Sequence, residues 1–121
     1  MAQPQTAAFT ITINTTADGP FSLYSILSTG LAPTGCTLGV GASITPVTGK
    51  PIALVNVQVA TGGNLYLGDA SVTPTTNGGL VVYTGASQTL QPVPGVAWAN
   101  SIYFNADAAT TVVNFWVFYG A

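Results

Sequence analysis

The strongest structural signal in this chain is the segment Val112-Val113-Asn114-Phe115-Trp116-Val117-Phe118-Tyr119. These residues are almost all β-branched or aromatic, which is typical of a β-strand. Alternate side chains of a strand point to opposite faces, and here both faces are largely apolar, so we expect burial on both sides. Either a neighbouring subunit covers the second face, or the strand is central and loops of the same chain cap it. The first alternative predicts a subunit or lattice interface built from Val113, Phe115, Trp116, Val117, Phe118 and Tyr119.

The same period of two recurs at short intervals along the rest of the chain. Residues 9–14 and 52–60 alternate apolar with polar side chains, which predicts strands with one buried face. Gly, Pro, Asn and Asp cluster between such runs, as at Asp18-Gly19-Pro20, and these residue types favour tight turns. No segment shows a convincing helical stripe with a cap. The predicted strands span residues 9–14, 21–27, 37–47, 52–60, 65–67, 80–83, 88–90, 98–104 and 112–119.

Short strands separated by Gly and Pro turns are typical of antiparallel β-sandwiches and barrels. We predict an all-β fold, a single antiparallel β-sandwich domain over residues 1–121, in which residues 1–7 form an extended N-terminal arm. A jelly-roll-like topology is the first expectation and an immunoglobulin-like sandwich is the alternative. Both stay open at this point because strand order along the chain does not settle strand pairing.

Charge is almost absent from this chain. Its 121 residues include one Lys or Arg, three Asp or Glu and no His, so 3% are charged, whereas soluble domains have about 25%. With Lys50 as its one cation, the chain cannot neutralise several phosphates, so we expect no nucleic-acid partner. No apolar run reaches the roughly 18 residues of a membrane helix, so no membrane partner is expected. The first residues lack the positive start and apolar core of a secretory signal, and we expect synthesis in the cytoplasm.

Few residues could carry catalytic chemistry. Asp18, Asp69 and Asp107 all stand beside turn residues, where an Asp side chain commonly bonds nearby backbone amides. Cys36 has no His to activate it, and it is interpreted as a small buried apolar residue. Nothing beyond the presence of both residue types supports a Ser and Lys50 pair. We therefore expect a non-enzymatic protein with no catalytic residues, no cofactor and no metal site.

Aromatic residues leave a binding function open. Trp and Tyr rings can stack on sugar rings, and the loops of β-sandwiches often carry such sites. The alternative is that these rings fill the core and the contacts between subunits. The candidate glycan contacts are Trp98 and Tyr83.

Several turn and strand patterns of the second half resemble a known class of protein. They are the segment Asn64–Thr73, the turns Asn77-Gly78-Gly79 and Gly85-Ala86-Ser87, and the ending Ile102–Asp107 with Thr110–Val113. A Tyr-x-Gly-Asp strand end that leads through a Thr/Ser loop to a Gly-x-Ser turn is similar to small virion structural proteins of tailed bacteriophages. This class includes capsid decoration (cement) proteins, head spikes and related accessory proteins.

The resemblance implies a β-sandwich subunit that forms a homo-oligomer, commonly a homotrimer, and binds a major capsid protein or another virion protein. It implies location in the virion after synthesis in the host cytoplasm, and turn roles for Gly68, Asp69, Asn77, Gly78 and Gly85. The scarcity of charge favours the same interpretation, because an uncharged surface suits a subunit held among neighbours. The alternative function is a carbohydrate- or receptor-binding β-sandwich module, as in a phage fibre, a spike or a lectin.

Overall fold

A computed structural model describes residues 6–39, 43–74, 79–91 and 102–120. Within these residues the chain forms nine β-strands, one α-helix and one 3₁₀ turn. The strands are β1 (Thr6–Ile13), β2 (Phe21–Ser22), β3 (Cys36–Leu38), β4 (Ile52–Thr61), β5 (Leu65–Gly68), β6 (Leu80–Val82), β7 (Ser87–Leu90), β8 (Tyr103–Ala106) and β9 (Thr111–Tyr119). The helix α1 spans Leu23–Thr29, and the 3₁₀ turn spans Thr16–Asp18.

The strands form two antiparallel sheets that pack face to face, which confirms the predicted all-β sandwich. One sheet has five strands in the order β3-β1-β9-β4-β7, and the other has four in the order β2-β8-β5-β6. Eight of these strands therefore divide as β1-β9-β4-β7 and β2-β8-β5-β6, the strand order of a jelly roll. β3 adds a ninth strand beside β1 at the edge of the five-stranded sheet. The jelly roll, rather than the immunoglobulin-like alternative, is the topology observed.

The predicted C-terminal strand is central in its sheet, but the expected cover on its second face is missing among the described residues, since Trp116 on that face is 51% exposed. β9 pairs along its length with β1 on one side and with β4 on the other. Phe115, for example, lies opposite Phe9 of β1 and opposite Val57 of β4. Because directly opposed residues of antiparallel strands share a face, these three side chains enter the same core. All three are buried.

Four phenylalanine rings connect the two sheets through the core. Phe9 stacks on Phe115 within the five-stranded sheet, with ring centroids 5.3 Å apart. Phe115 meets Phe104 of β8 at 5.0 Å, and Phe104 meets Phe21 of β2 at 5.7 Å. Phe104 is fully buried, and such aromatic pairs contribute about 0.5–1.5 kcal/mol beyond the area they bury. These contacts hold the sheets together and leave the opposite face of each sheet outside the core.

The strand predicted over residues 21–27 is wrong beyond its first two residues, because the chain enters α1 at Leu23. The Ser22 hydroxyl accepts a hydrogen bond from the Ser25 amide at 3.2 Å and caps the helix. At the other end Gly30 takes a left-handed conformation, with φ of 72°, and donates its amide proton to the Ile26 carbonyl. No helix in the described part of the chain is long and apolar enough to cross a membrane. The residues that α1 buries are Leu23, Ile26 and Leu27.

Three other boundaries differ from the prediction. Of the strand expected over residues 37–47, residues 37 and 38 lie in β3, residues 43–47 have no regular structure, and residues 40–42 lie outside the described residues. Thr6 and Ala7, predicted within the N-terminal arm, pair with β9 as the first residues of β1, while residues 1–5 lie outside the described residues. The strand predicted to end at residue 104 continues through the buried Asn105 and Ala106 of β8, so the turn begins at Asp107. Of the strand expected over residues 98–104, residues 98–101 lie outside the described residues.

Candidate functional site

Most of the residues predicted to form an interface lie in the core of the subunit instead. Val113, Phe115, Val117 and Tyr119 point between the sheets and are buried inside their own subunit. They therefore cannot line an interface between folded subunits, and their proposed interface role is corrected. The reason is that β9 is apolar on both faces, so the sequence pattern could not distinguish the inner face from the outer one. Trp116 and Phe118 point away from the core.

The side of the five-stranded sheet that faces away from the core is called the outer face below. Its central part is built by β1, β9 and β4, whose registers place alternate residues in rows across the sheet. One row joins Thr10, Asn114 and Gln58, and the next joins Ala8, Trp116 and Asn56. The outer face therefore comprises Ala8, Thr10, Asn56, Gln58, Asn114, Trp116 and Phe118.

The first row is a chain of hydrogen bonds across three strands. The Thr10 hydroxyl donates to Oδ1 of Asn114 at 2.7 Å. Asn114 in turn donates from Nδ2 to Oε1 of Gln58 at 3.2 Å. Both ends of the Asn114 amide are thus engaged, which fixes its orientation and that of Gln58. In the next row Asn56 donates from Nδ2 to the Thr89 hydroxyl of β7 at 3.1 Å.

An aromatic pair stands beside these amides. Trp116 is 51% exposed, and its ring centroid lies 4.7 Å from that of the half-buried Phe118, at an interplanar angle of 40°. Its cross-strand neighbours are the small Ala8 and the polar Asn56, which leave room next to the indole. The space forms an open groove of about 440 Å³ on the outer face. The groove is lined by Ala8, Phe9, Thr10, Asn56, Gln58, Asn114, Phe115 and Trp116.

The sequence prediction missed the groove. Asn56 and Gln58 were expected on the polar face of their strand, and the structure confirms that they lie opposite the buried valines of β4. Asn114 and Thr10 had no such signal toward a common site, because only the register of β1, β9 and β4 brings them together. In the sequence of β9, only the polar Asn114 between Val113 and Phe115 indicated that part of the strand contacts solvent.

Of the two glycan contacts predicted from sequence, only Tyr83 is among the described residues, and it lies away from the groove. Tyr83 directly follows β6 of the four-stranded sheet and is 64% exposed, so its ring is accessible to a ligand. Trp98 lies outside the described residues. Tyr83 does not line the groove on the outer face.

The three aspartates lie in or beside turns. Asp69 accepts hydrogen bonds at Oδ1 from the Ser71 hydroxyl at 2.6 Å and from the Ser71 amide at 2.9 Å, and these bonds lower the pKa of its carboxyl. Asp107 accepts from the Asn64 amide at 2.9 Å and so ties the β8–β9 turn to the start of β5. Asp18 ends the 3₁₀ turn. The described residues contain no group of three His, Cys, Asp or Glu side chains placed to hold a metal ion.

The residues to which the resemblance assigns turn roles do not all lie in turns. Gly85 has φ of 82°, a left-handed conformation that favours glycine, and donates its amide proton to the Val59 carbonyl at 2.8 Å. Gly68 is the last residue of β5, beside the turn that Asp69 stabilises. Asn77 and Gly78 lie outside the described residues.

Cys36 lies at the edge of the core rather than within it. It opens β3 opposite Ile13 and is half-buried against the core. Burial, together with the negative charge of nearby Asp18, raises the pKa of the Cys36 thiol to about 12. The thiol is therefore protonated near neutral pH, and such a thiol is a poor nucleophile.

Comparison with protein-family models, with curated proteins and with solved structures finds no match for this chain. The outer face carries side chains that can take part in binding. The exposed Trp116, packed beside the half-buried Phe118, stands next to oriented amide side chains, and these groups can stack on a ligand and exchange hydrogen bonds with it.

Proposed function

We propose that this chain is a non-enzymatic virion structural protein, a capsid decoration subunit that forms a homo-oligomer and binds the particle lattice. The observation that carries the proposal is the presence of large exposed apolar side chains on a surface with almost no charge. Leu31 is 69% exposed just beyond α1, and Tyr83 is 64% exposed just beyond β6. A subunit that both oligomerises and binds a lattice needs more than one contact surface, and Leu31 and Tyr83 are two separate candidate positions for them.

The topology is compatible with this role without selecting it. Jelly rolls occur in viral capsid proteins and also in lectins, so the fold alone does not assign the function. The proposal rests on the composition of the surface, because an exposed apolar side chain with few charges around it favours association over a free monomer. Trp116 and Phe118 are the two members of the predicted interface that remain accessible.

The direct test is the composition of purified particles. Virus particles produced from the genome that encodes this chain are banded on a density gradient, and their proteins are quantified by mass spectrometry. We expect the chain in a constant ratio to the major capsid protein across the band. Its absence from the particles would contradict the proposal.

A binding assay with point variants tests which surfaces attach the subunit. Purified chain is mixed with empty capsids, and the bound fraction is recovered by sedimentation. Leu31→Ser and Tyr83→Ser place a hydroxyl where an apolar contact is expected, so each should weaken capsid binding or oligomerisation by about tenfold. Thr48→Ser, a change at another exposed position, is the matched control and should bind normally. A wild-type chain that stays monomeric and never sediments with capsids overturns the proposal.

A further inference from the structure

We propose that the groove on the outer face binds a neutral saccharide, which stacks on Trp116 and exchanges hydrogen bonds with Asn56 and Gln58. This inference does not depend on the virion role, because it rests only on the geometry of the face. It also places the sugar contact on the five-stranded sheet, whereas Tyr83 follows β6 of the four-stranded sheet.

The shape and the ring provide the first argument. The groove has a volume of about 440 Å³, within the roughly 300–1,000 Å³ range of small-molecule sites. One of its walls is the half-exposed indole of Trp116, whose ring packs against that of Phe118. A sugar ring presents C–H groups on one face, and these meet the electron-rich face of an aromatic ring favourably.

The amides provide the second argument, since each retains an unused end. Gln58 accepts through Oε1, and among the described residues its Nε2 has no partner. Asn56 donates through Nδ2, and among the same residues its Oδ1 has none. Their bonds to Asn114 and Thr89 hold both amides in place, so a donor and an acceptor face the ligand already oriented. Sugar hydroxyl groups both donate and accept, and they suit such a pair.

The absence of charge selects the ligand class. None of the residues that line the groove is charged. A carboxylated or sulfated sugar would lose hydration there without gaining an ionic partner, so the groove favours neutral sugars. A second copy of the chain is a poorer occupant, because an apolar protein surface would bury the free ends of Asn56 and Gln58 without hydrogen bonds, at a cost of about 1–3 kcal/mol each.

The test uses the full chain on an array of immobilised oligosaccharides that carries neutral hexose and N-acetylhexosamine oligomers beside sialylated and sulfated ones. We expect binding to neutral members. The best of them is then titrated against the chain by calorimetry. Trp116→Ala should weaken the affinity by about tenfold or more, and Asn56→Ala and Gln58→Ala by several-fold each. Trp116→Phe, which keeps an aromatic ring, should fall between wild type and Trp116→Ala.

Controls separate loss of the site from loss of the fold. Tyr83→Ala removes an exposed aromatic ring that the sequence favoured as a glycan contact, and it should leave the affinity for the neutral sugar unchanged. Each variant is checked by thermal unfolding, and Gln58→Ala changes an exposed side chain that the core does not need.

Four outcomes would overturn the proposal. They are no binding to any neutral member of the array, binding confined to acidic sugars, neutral binding that survives in Trp116→Ala, and neutral binding that is lost in Tyr83→Ala instead. A fifth result, no sugar binding together with a fall in oligomer mass in Trp116→Ala, would assign the outer face to contacts between copies of the chain.

Discussion

Tyr119 carries the one buried side-chain polar atom, among the described residues, that has no hydrogen-bond partner. Its ring fills the core at the end of β9, and its hydroxyl is enclosed with it. A buried hydroxyl that makes no hydrogen bond gives up its hydration without compensation, at a cost of about 1–3 kcal/mol. The same enclosure raises the pKa of the Tyr119 hydroxyl, because the phenolate would lose still more hydration.

Replacing this hydroxyl by hydrogen should stabilise the protein. Tyr119→Phe keeps the ring and removes the unpaired group, so we expect the free energy of unfolding to rise by about 1 kcal/mol at neutral pH. Urea denaturation followed by circular dichroism measures the change. The matched control is Tyr83→Phe, whose hydroxyl is on an exposed ring and whose removal should leave stability within about 0.5 kcal/mol.

The difference in unfolding free energy between wild type and Tyr119→Phe should also depend on pH, in a direction that the pKa of Tyr119 sets. Tyr119 has a higher pKa in the folded chain than in the unfolded chain, where the value is about 10. Its contribution is therefore present below about pH 10 and is lost as the pH rises further, because the unfolded tyrosine ionises first. The advantage of Tyr119→Phe over wild type should widen between about pH 8 and pH 11. A gap that narrows over this range would contradict the assignment of a buried hydroxyl.

The residues of one-sided strands could be predicted from sequence. Val55, Val57 and Val59 alternate with polar residues, and all three are buried as expected. For β9 the buried face could not be predicted in this way. Phe115 and Trp116 are both apolar, so the alternation does not show that Phe115 is buried and Trp116 half-exposed. The choice between its faces depends on which sheet packs behind it, and this is a property of the whole fold.

At the scale of single elements, α1 shows why alternation is an ambiguous signal over short distances. Leu23, Ile26 and Leu27 follow the i, i+3, i+4 spacing of a helix face, but in a run of seven residues they also suit a strand. The ends of the segment are more informative than its middle, since Ser22 caps the helix and Gly30 closes it. A search for caps before periodicity would have identified α1.

The contribution of the Ser22 cap to stability can be measured by substitution. Ser22→Ala removes the acceptor of the Ser25 amide bond, and we expect the free energy of unfolding to fall by about 1 kcal/mol. Ser28→Ala is the matched control inside the helix. The Ser28 hydroxyl makes only a long bond of 3.5 Å to the Ser25 carbonyl, and Ala has the higher helix propensity, so this change should cost nothing or stabilise slightly. Equal losses in both variants would show that serine removal, and not the cap, explains the effect.

At the scale of the whole molecule, the sandwich follows from the sequence and the groove does not. The spacing of short strands and turns was enough to predict two antiparallel sheets. The hydrogen bond between Thr10 and Asn114, however, joins residues 104 positions apart, and that between Asn114 and Gln58 joins residues 56 apart. These pairings exist only after β9 has inserted between β1 and β4, so a reading of neighbouring residues could not assemble the outer face.

The scarcity of charge predicts how the proposed oligomer responds to salt. Four charged side chains give a net charge of -2, so attraction between subunits must come mainly from apolar and hydrogen-bonded contacts. Salt shortens the reach of charges from about 10 Å at 0.1 M to about 3 Å at 1 M, but it does not weaken apolar contacts. The mass of the oligomer in sedimentation velocity should therefore be the same from about 0.05 M to about 1 M NaCl, and ammonium sulfate should strengthen assembly. Dissociation in moderate NaCl at neutral pH would mean that Lys50 and the three aspartates hold the subunits together, contrary to this account.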